Sequence, residues 1–353
     1  MHEPFFTILI PTKNRSEIVG GAIQSVLDQT FGDFEIVVSD NDDSPDATRL
    51  AAASFTDPRV RYFRTSGKLA MHENWENALQ QARGQHVLLV EDKQRLVTNA
   101  LAILEGILRR QPLAVISYPV LLPDSVNVPP AKEPPSIIHF PSEDLVRRFC
   151  EFDPDIHPLL PRALNSTAPR SLLSQLRQSS PTGLVFSHLA PDYSCAFQVL
   201  RQAPEILHVT AGLIYVPVDL PKRGNYSNGF SCLKKDEQAR RFFASLPVST
   251  DQIASVAPVK THWLALNVVL WDFQQFMTRP GWTPPWNWVR YHGYCLYYIA
   301  LGKLWGFDMS PEWVAVQASL RKEGLWFALC SLLDFVGRVC MGLWGRIRGN
   351  RHV

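Results

Sequence analysis

Apolar runs that stop abruptly at polar clusters, with helical stretches between them, constrain this chain more than any other feature. "FFTILIP" ends in "PTKNR", "FEIVVSD" in "SDNDDSPD", and "HVLLVE" in "EDK". "RVRYFR" reads as a third strand with edge-like alternation, and "LAVISYPVL" as a fifth. Helical spacing fills the gaps: from Ser16, a plausible N-cap, through "IVGGAIQSVLDQT"; an alanine-rich stretch over Asp46 to Phe55; "NWENALQQA"; and "NALAILEGILRR". Strand–helix alternation with short connections predicts an α/β fold, a mostly parallel sheet with helices on both faces. Ligands of such sheets bind at the carboxyl ends of the strands, where the three polar clusters fall.

The 353 residues suffice for one large domain or two small ones, and with 46% hydrophobic and 19% charged residues the chain can bury a sizeable core. A formal net charge of +2 argues against a nucleic-acid binder driven by bulk charge. The six cysteines form no CxxC pair, so they suggest neither a zinc knuckle nor a disulfide framework, and they fit a reducing, cytoplasmic compartment. "MHEPFFTILIP" lacks the basic start and small-residue cleavage site of a signal peptide and reads as a first strand. Seven prolines from Pro119 to Pro141 mark a long irregular connection. Beyond it "SEDLVRRFCEF" and "APDYSCAFQVLRQA" read as helices, "LHVTAGLIYVPV" as a strand with a bulge, and the chain from Thr250 as mainly helical.

No GxGxxG follows the first strand, which disfavours a nicotinamide enzyme. Asp40, Asp42 and Asp43 read either as a turn that caps the next helix or as acceptors for a base or ribose. Glu91-Asp92 reads either as a strand-end turn or as hard oxygen ligands for a divalent ion, which needs only one or two carboxylates when it bridges phosphates.

"FTILIPTKNRSEIVGGAIQSVLDQTFGDFEIVVSDNDD", "DPRVRYFRT" and "MHENWENALQQARGQHVLLVEDK" together resemble a family 2 glycosyltransferase of the bacterial surface-polysaccharide subgroup. The resemblance covers residues 5 to about 120 in order and continues loosely to about 232 through "LNSTAPRSLL", "APDYSCAFQVL" and "RGNYSNG". It implies a GT-A, Rossmann-like fold, a nucleotide-sugar donor, a divalent metal (Mg or Mn) on a DxD-like motif, and inversion at the anomeric carbon. It implies a domain over residues 1–232, with a nucleotide half 1–120 and an acceptor half 121–232, before a helical region 233–353. Carried over by position, Pro11, Thr12, Asn14 and Arg15 frame the nucleotide pocket. Asp40 holds the base and Asp42 lies near the ribose. Lys68 and Met71 cover the nucleotide, with Asn74 and Trp75 in support. Asp192, at a helix start, matches the general base. Glu91, Asp92 and Lys93 fall on the DxD-like motif, with Lys93 where the family's metal-gripping carboxylate usually stands. Three readings stay open: the ammonium replaces the metal, Asp92 still holds it, or the motif is degenerate and the protein only binds nucleotide sugars or serves as a scaffold. "KRGNYSNGFS" reads as a flexible loop or as a lid bringing Arg223, Asn225 or Ser227 to the diphosphate or the acceptor. A nucleotidyltransferase would want a glycine-rich basic first loop, which "PTKNRSEIVGG" does not supply.

From 324 to 348, Leu325, Leu329, Leu332, Val336, Val339, Leu343 and Ile347 recur at helical spacing, with Ser331, Asp334, Arg338, Gly345 and Arg348 on the other side. From Arg321 onward six Lys/Arg stand against Glu323 and Asp334. Charges and glycines within the segment argue against a span. An interfacial helix anchored by Trp326 and Trp344, or packing on its own domain or a second subunit in a homo-oligomer, stays open. The expected setting is the cytoplasmic face of the cell membrane, with a saccharide or lipid-linked saccharide as acceptor and no nucleic-acid partner.

Overall fold

The computed structural model describes residues 3–44, 46–122, 127–187, 189–220 and 228–347. The chain forms two compact units, one of Met1–Glu143 with Pro158–Arg223, the other of Asp144–His157 with Gly224–Val353.

The first unit opens with β1 (Phe6–Thr12), α1 (Ser16–Leu27), β2 (Phe34–Asp40), α2 (Ala47–Ala53), β3 (Val60–Arg64), α3 (Met71–Gln80) and β4 (His86–Leu89). It continues with β5 (Arg95–Leu96), α4 (Ala100–Leu108), β6 (Ile116–Ser117), β7 (Val120–Leu121) and β8 (Ile137–Pro141). α5 (Ser142–Cys150) and α6 (Ile156–Leu159) lead into β9 (Ser166–Pro169), α7 (Arg170–Ser179), α8 (Pro191–Gln202), β10 (Glu205–Val209) and β11 (Ile214–Tyr215). The eight-stranded sheet runs β3-β2-β1-β4-β9-β6-β10-β8. β1 pairs parallel with β2 and β4, and β2 with β3, so these four strands end on one edge. β1 and β2 are buried throughout, as their unbroken apolar runs require. The core packs Ile8, Ile10, Ile36 and Val38 with Val19 and Ile23 of α1 and with Leu101 and Leu104 of α4. Gly84 lets the turn before β4 lie on β1: a Cβ there would stand 2.6 Å from the backbone of Phe6 and Thr7.

Two expectations are corrected. The fifth strand is split: β6 joins the large sheet and β7 a small one ordered β5-β11-β7, because the chain turns away at Tyr118-Pro119, where proline cannot donate to a ladder. "LHVTAGLIYVPV" divides in the same way, into β10 and β11. β9 enters between β4 and β6, antiparallel to both.

The second unit holds α9 (Asn228–Lys234), α10 (Glu237–Ser245), α11 (Thr250–Ser255), α12 (Ala265–Met277), α13 (Trp288–Leu304), α14 (Ser310–Glu323) and α15 (Leu325–Ile347). The compact units divide after Arg223, and Asp144–His157 belongs to the second. Its aromatic residues explain why: Phe149 stacks on Phe273 at 5.2 Å and Phe152 on Trp286 at 5.6 Å between ring centres.

Candidate active site

The loops that leave β1, β2, β3 and β4 meet at the carboxyl edge of the sheet. Thr12 Oγ1 donates to Asp92 Oδ2 at 2.8 Å, and Arg15 pairs with Asp92 Oδ1 at 2.9 Å. Pro11 lies buried at the end of β1. Asn14 takes a left-handed backbone, φ 55°, a region asparagine tolerates. Its amide donates to Asp42 in a short contact, its Nδ2 donates to Asp43 at 2.8 Å, and its Oδ1 accepts from the Asp43 amide at 2.8 Å. The first two loops are thereby zipped together.

Asp40 has no exposed surface. Its Oδ1 accepts from the Asp42 amide, and its Oδ2 from Tyr62 at 2.6 Å and Arg64 at 2.8 Å. Both oxygens thus accept bonds from within the protein, and Asp40 holds the loop after β2 in place. Tyr62, Arg64 and Asn41 were not singled out from the sequence. Asn41 exchanges two hydrogen bonds with the Leu69 backbone and so fixes the segment before α3. Lys68 stands exposed, 3.1 Å from Asp43, and Met71 is partly exposed at the start of α3. Arg223, with Lys222, Asn225 and Ser227, lies outside the described residues.

The stretch "NWE" on α3 has three separate tasks. Asn74 accepts from Ser39 Oγ at 2.7 Å and donates to the Thr12 and Ser39 carbonyls, tying the ends of β1 and β2. Trp75 packs edge-on against Phe186. Glu76, buried, accepts from the amides of Val185 and Phe186 and pairs with Arg177 at 2.6 Å, which fixes the approach to α8. Glu76→Ala strands two buried amides, so we expect a loss of about 2–4 kcal/mol in unfolding free energy, read by urea denaturation. A loss below about 0.5 kcal/mol would show that the 185–186 segment is held by something else.

Asp192 lies in the first turn of α8, just after Pro191, with 16% of its side chain exposed. The helix-start amides of Tyr193 and Asp192 lie close enough to its carboxylate to favour the charged form. Arg162 reaches it at 3.7 Å, held by a bond from Nε to Asn165 at 3.1 Å and lying over the Tyr193 ring. The turn Ala163–Asn165 packs on both β4 and α8, so it brings Arg162 within electrostatic range of both Glu91 and Asp192. Burial pushes the Asp192 carboxyl above its ordinary range; Arg162 pulls it down, and the Glu91 charge pushes it up again. Burial opposes the charge of Arg162, but Tyr193 and Asp192 outweigh it and raise the guanidinium pKa. Nothing in the sequence marked Arg162, which sits in an irregular stretch without periodicity.

Lys93 Nζ lies 3.2 Å from Glu91 Oε2, both side chains largely buried. Asp92 is likewise buried, which drives its carboxyl pKa upward against the pull of Arg15 and Thr12. Glu91, Asp92 and Asp192 thus face Lys93, Arg15 and Arg162, each acid beside a base. A divalent ion does not fit this donor set as it stands. Both oxygens of Asp92 are engaged, Glu91 is bound to an ammonium, and among the described residues no three His, Cys, Asp or Glu side chains gather as ligands. An ion at Asp92 would have to displace Arg15.

The family model of glycosyl transferase family 2 matches residues 7–93, which run from β1 to the end of the Glu91-Asp92-Lys93 turn. A Campylobacter jejuni protein, GalNAc(5)-diNAcBac-PP-undecaprenol beta-1,3-glucosyltransferase, is 36% identical over 104 residues, 29% of this chain and 33% of that protein. UDP-Glc:alpha-D-GlcNAc-diphosphoundecaprenol beta-1,3-glucosyltransferase WfgD of Escherichia coli is 28% identical over 101 residues, 29% of this chain and 40% of that one. The matches therefore span well under half the length of these relatives. A crystal structure of S. aureus TarS in complex with UDP-GlcNAc superposes with a TM-score of 0.49 at 13% identity, covering 76% of this chain and 89% of that one. The strand-end loops described above lie within residues 7–93, the segment that the glycosyl transferase family 2 model matches.

Proposed function

We propose that this chain transfers a sugar from a nucleotide-sugar donor, with inversion at the anomeric carbon, to a lipid-linked saccharide during bacterial surface-polysaccharide synthesis. The observation that carries the reading is the placement of Asp192, through Arg162, beside the Glu91–Lys93 turn at the sheet edge. A sugar hydroxyl is a poor nucleophile and needs its proton removed as it attacks. Asp192 takes that proton, the acceptor oxygen bonds to the anomeric carbon, and the bond from that carbon to the β-phosphate oxygen breaks. Its electron pair leaves with the nucleoside diphosphate, whose growing charge Lys93 and Arg15 offset. Both named relatives are glucosyltransferases acting on saccharides carried by undecaprenol diphosphate, which supports the acceptor class and makes UDP-glucose the first donor to try.

Thermal unfolding with UDP, UDP-glucose and UDP-GlcNAc tests the donor half of the reading. A ligand at a hundred times its Kd adds about 2.7 kcal/mol to stability, a rise of several degrees. Failure of every nucleotide sugar to raise Tm would overturn the proposal. Stabilisation without transfer to a lipid-linked acceptor would leave a nucleotide-sugar-binding protein, the class that the altered acidic motif also suggests.

A further inference from the structure

The last helix is inside out. α15 spans 23 residues, about 35 Å at 1.5 Å per residue. In a surface helix the apolar stripe faces the protein and the polar stripe faces water. Here Phe327, Ser331, Asp334 and Arg338, at spacings of three and four, turn inward on α13. Arg338 pairs with Asp334 at 2.6 Å and donates to the Phe152 carbonyl at 2.8 Å and the Arg290 carbonyl at 3.3 Å. Ser331 is buried, and Phe327 meets the His292 ring edge-on. The Asp334 carboxylate occupies the space that a side chain at position 293 would need, so Gly293 is what lets this polar edge approach. The opposite stripe is left outward: Leu325 is 88% exposed, Trp326 76% and Leu333 64%, with Leu329, Leu332 and Val336 about half exposed.

We infer that this outward stripe is a docking surface for an anionic lipid bilayer, with α15 lying in the plane of the interface. Three observations choose that occupant. The exposed side chains are large and apolar, and the polar groups that would normally keep such a helix in water are spent on α13. Basic residues bracket the stripe, with Arg321 and Lys322 exposed before it and Arg346, Arg348 and Arg351 after it in sequence. From Arg321 to Val353 six basic residues face two acidic ones, a net charge of +4 that matches an anionic surface. Trp326, near the start of the helix, is the side chain that best tolerates the headgroup layer. Leu325–Gly342 is apolar and long enough to cross a membrane by composition, but a crossing helix meets lipid all round, and one side of α15 is committed to α13 through charged groups. A single free apolar face is the geometry of an interfacial helix. The inference does not depend on sugar transfer.

The test uses the full chain with vesicles of phosphatidylethanolamine carrying a minority of phosphatidylglycerol, and with phosphatidylcholine vesicles alone. We expect the protein to sediment with the anionic vesicles and at least about tenfold less with phosphatidylcholine, since the basic residues that bracket the stripe are attracted only to the anionic surface. Leu332→Glu with Val336→Glu should cut binding at least about tenfold. Both positions are already half exposed, so thermal unfolding should be unchanged, which separates lost docking from lost folding. Protein that stays in the supernatant with all vesicles overturns the inference, and equal binding to both lipids overturns its anionic part. Resistance to alkaline carbonate extraction would show a span. A dimer in lipid-free sedimentation that the double variant dissociates would assign the stripe to a second copy.

Discussion

Asp192→Asn is expected to lower kcat by about 10²–10⁴-fold, the usual worth of a positioned general base, while the UDP-sugar stabilisation of Tm stays nearly unchanged. Asparagine keeps the shape at the start of α8 but loses the ability to take a proton, together with the charge that faces Arg162. The pH profile adds a readout that a structural role would not move. The base works ionised, so kcat/KM rises with pH through its pKa. Burial has raised that pKa, so the acid limb should lie above the ordinary carboxylate range. Arg162 lowers the Asp192 pKa and Glu91 raises it. Arg162→Gln should therefore move the limb upward and Glu91→Gln should move it downward. Shifts in the same direction, or none, would mean that another group sets the limb. Wild-type turnover in the asparagine variant would remove Asp192 from the chemistry.

The part of this site that was legible in the sequence is the part made by neighbours in the chain. A buried strand that stops at a polar cluster announces both a strand and a loop at its carboxyl end, which is why Thr12, Asn14, Asp42 and Glu91 to Lys93 could be named from β1, β2 and β4. What the sequence could not report is how those loops spend their side chains on one another. Asp40 follows a strand as a ligand-binding acid would, and the sequence does not show that Tyr62 and Arg64, whose proximity comes only from the β2–β3 pairing, bond its Oδ2. Arg162 reaches Asp192 because β9 runs antiparallel between β4 and β6, a long-range pairing that leaves no periodic trace. The tail shows the same limit. Its periodicity was plain, but periodicity says that a helix has two faces and not which of them docks; the bonds of Arg338 decide that.

Activity that largely survives EDTA is the second large result expected, together with its sensitivity to Lys93. In a metal-dependent site the ion's two charges neutralise the departing diphosphate, and its removal costs orders of magnitude in rate. Here Asp92 already carries Arg15 and Thr12, and the next position supplies an ammonium in place of a further carboxylate. At about 4 Å and an effective dielectric near 20, one charge pair is worth about 4 kcal/mol before desolvation. Glu91 shares that ammonium, so we expect Lys93→Ala to lower kcat/KM by about 10–10²-fold, less than the full Coulomb figure. Lys93→Asp gives the sharper contrast. It replaces a cation with a hard oxygen ligand beside Asp92 and Glu91, so it should lose more activity than the alanine variant in EDTA and recover part of it with Mn²⁺. The decisive comparison is wild-type protein in EDTA. Complete loss of transfer, restored by Mn²⁺, would show that a bound ion displaces Arg15 from Asp92 and that Lys93 serves only to neutralise Glu91.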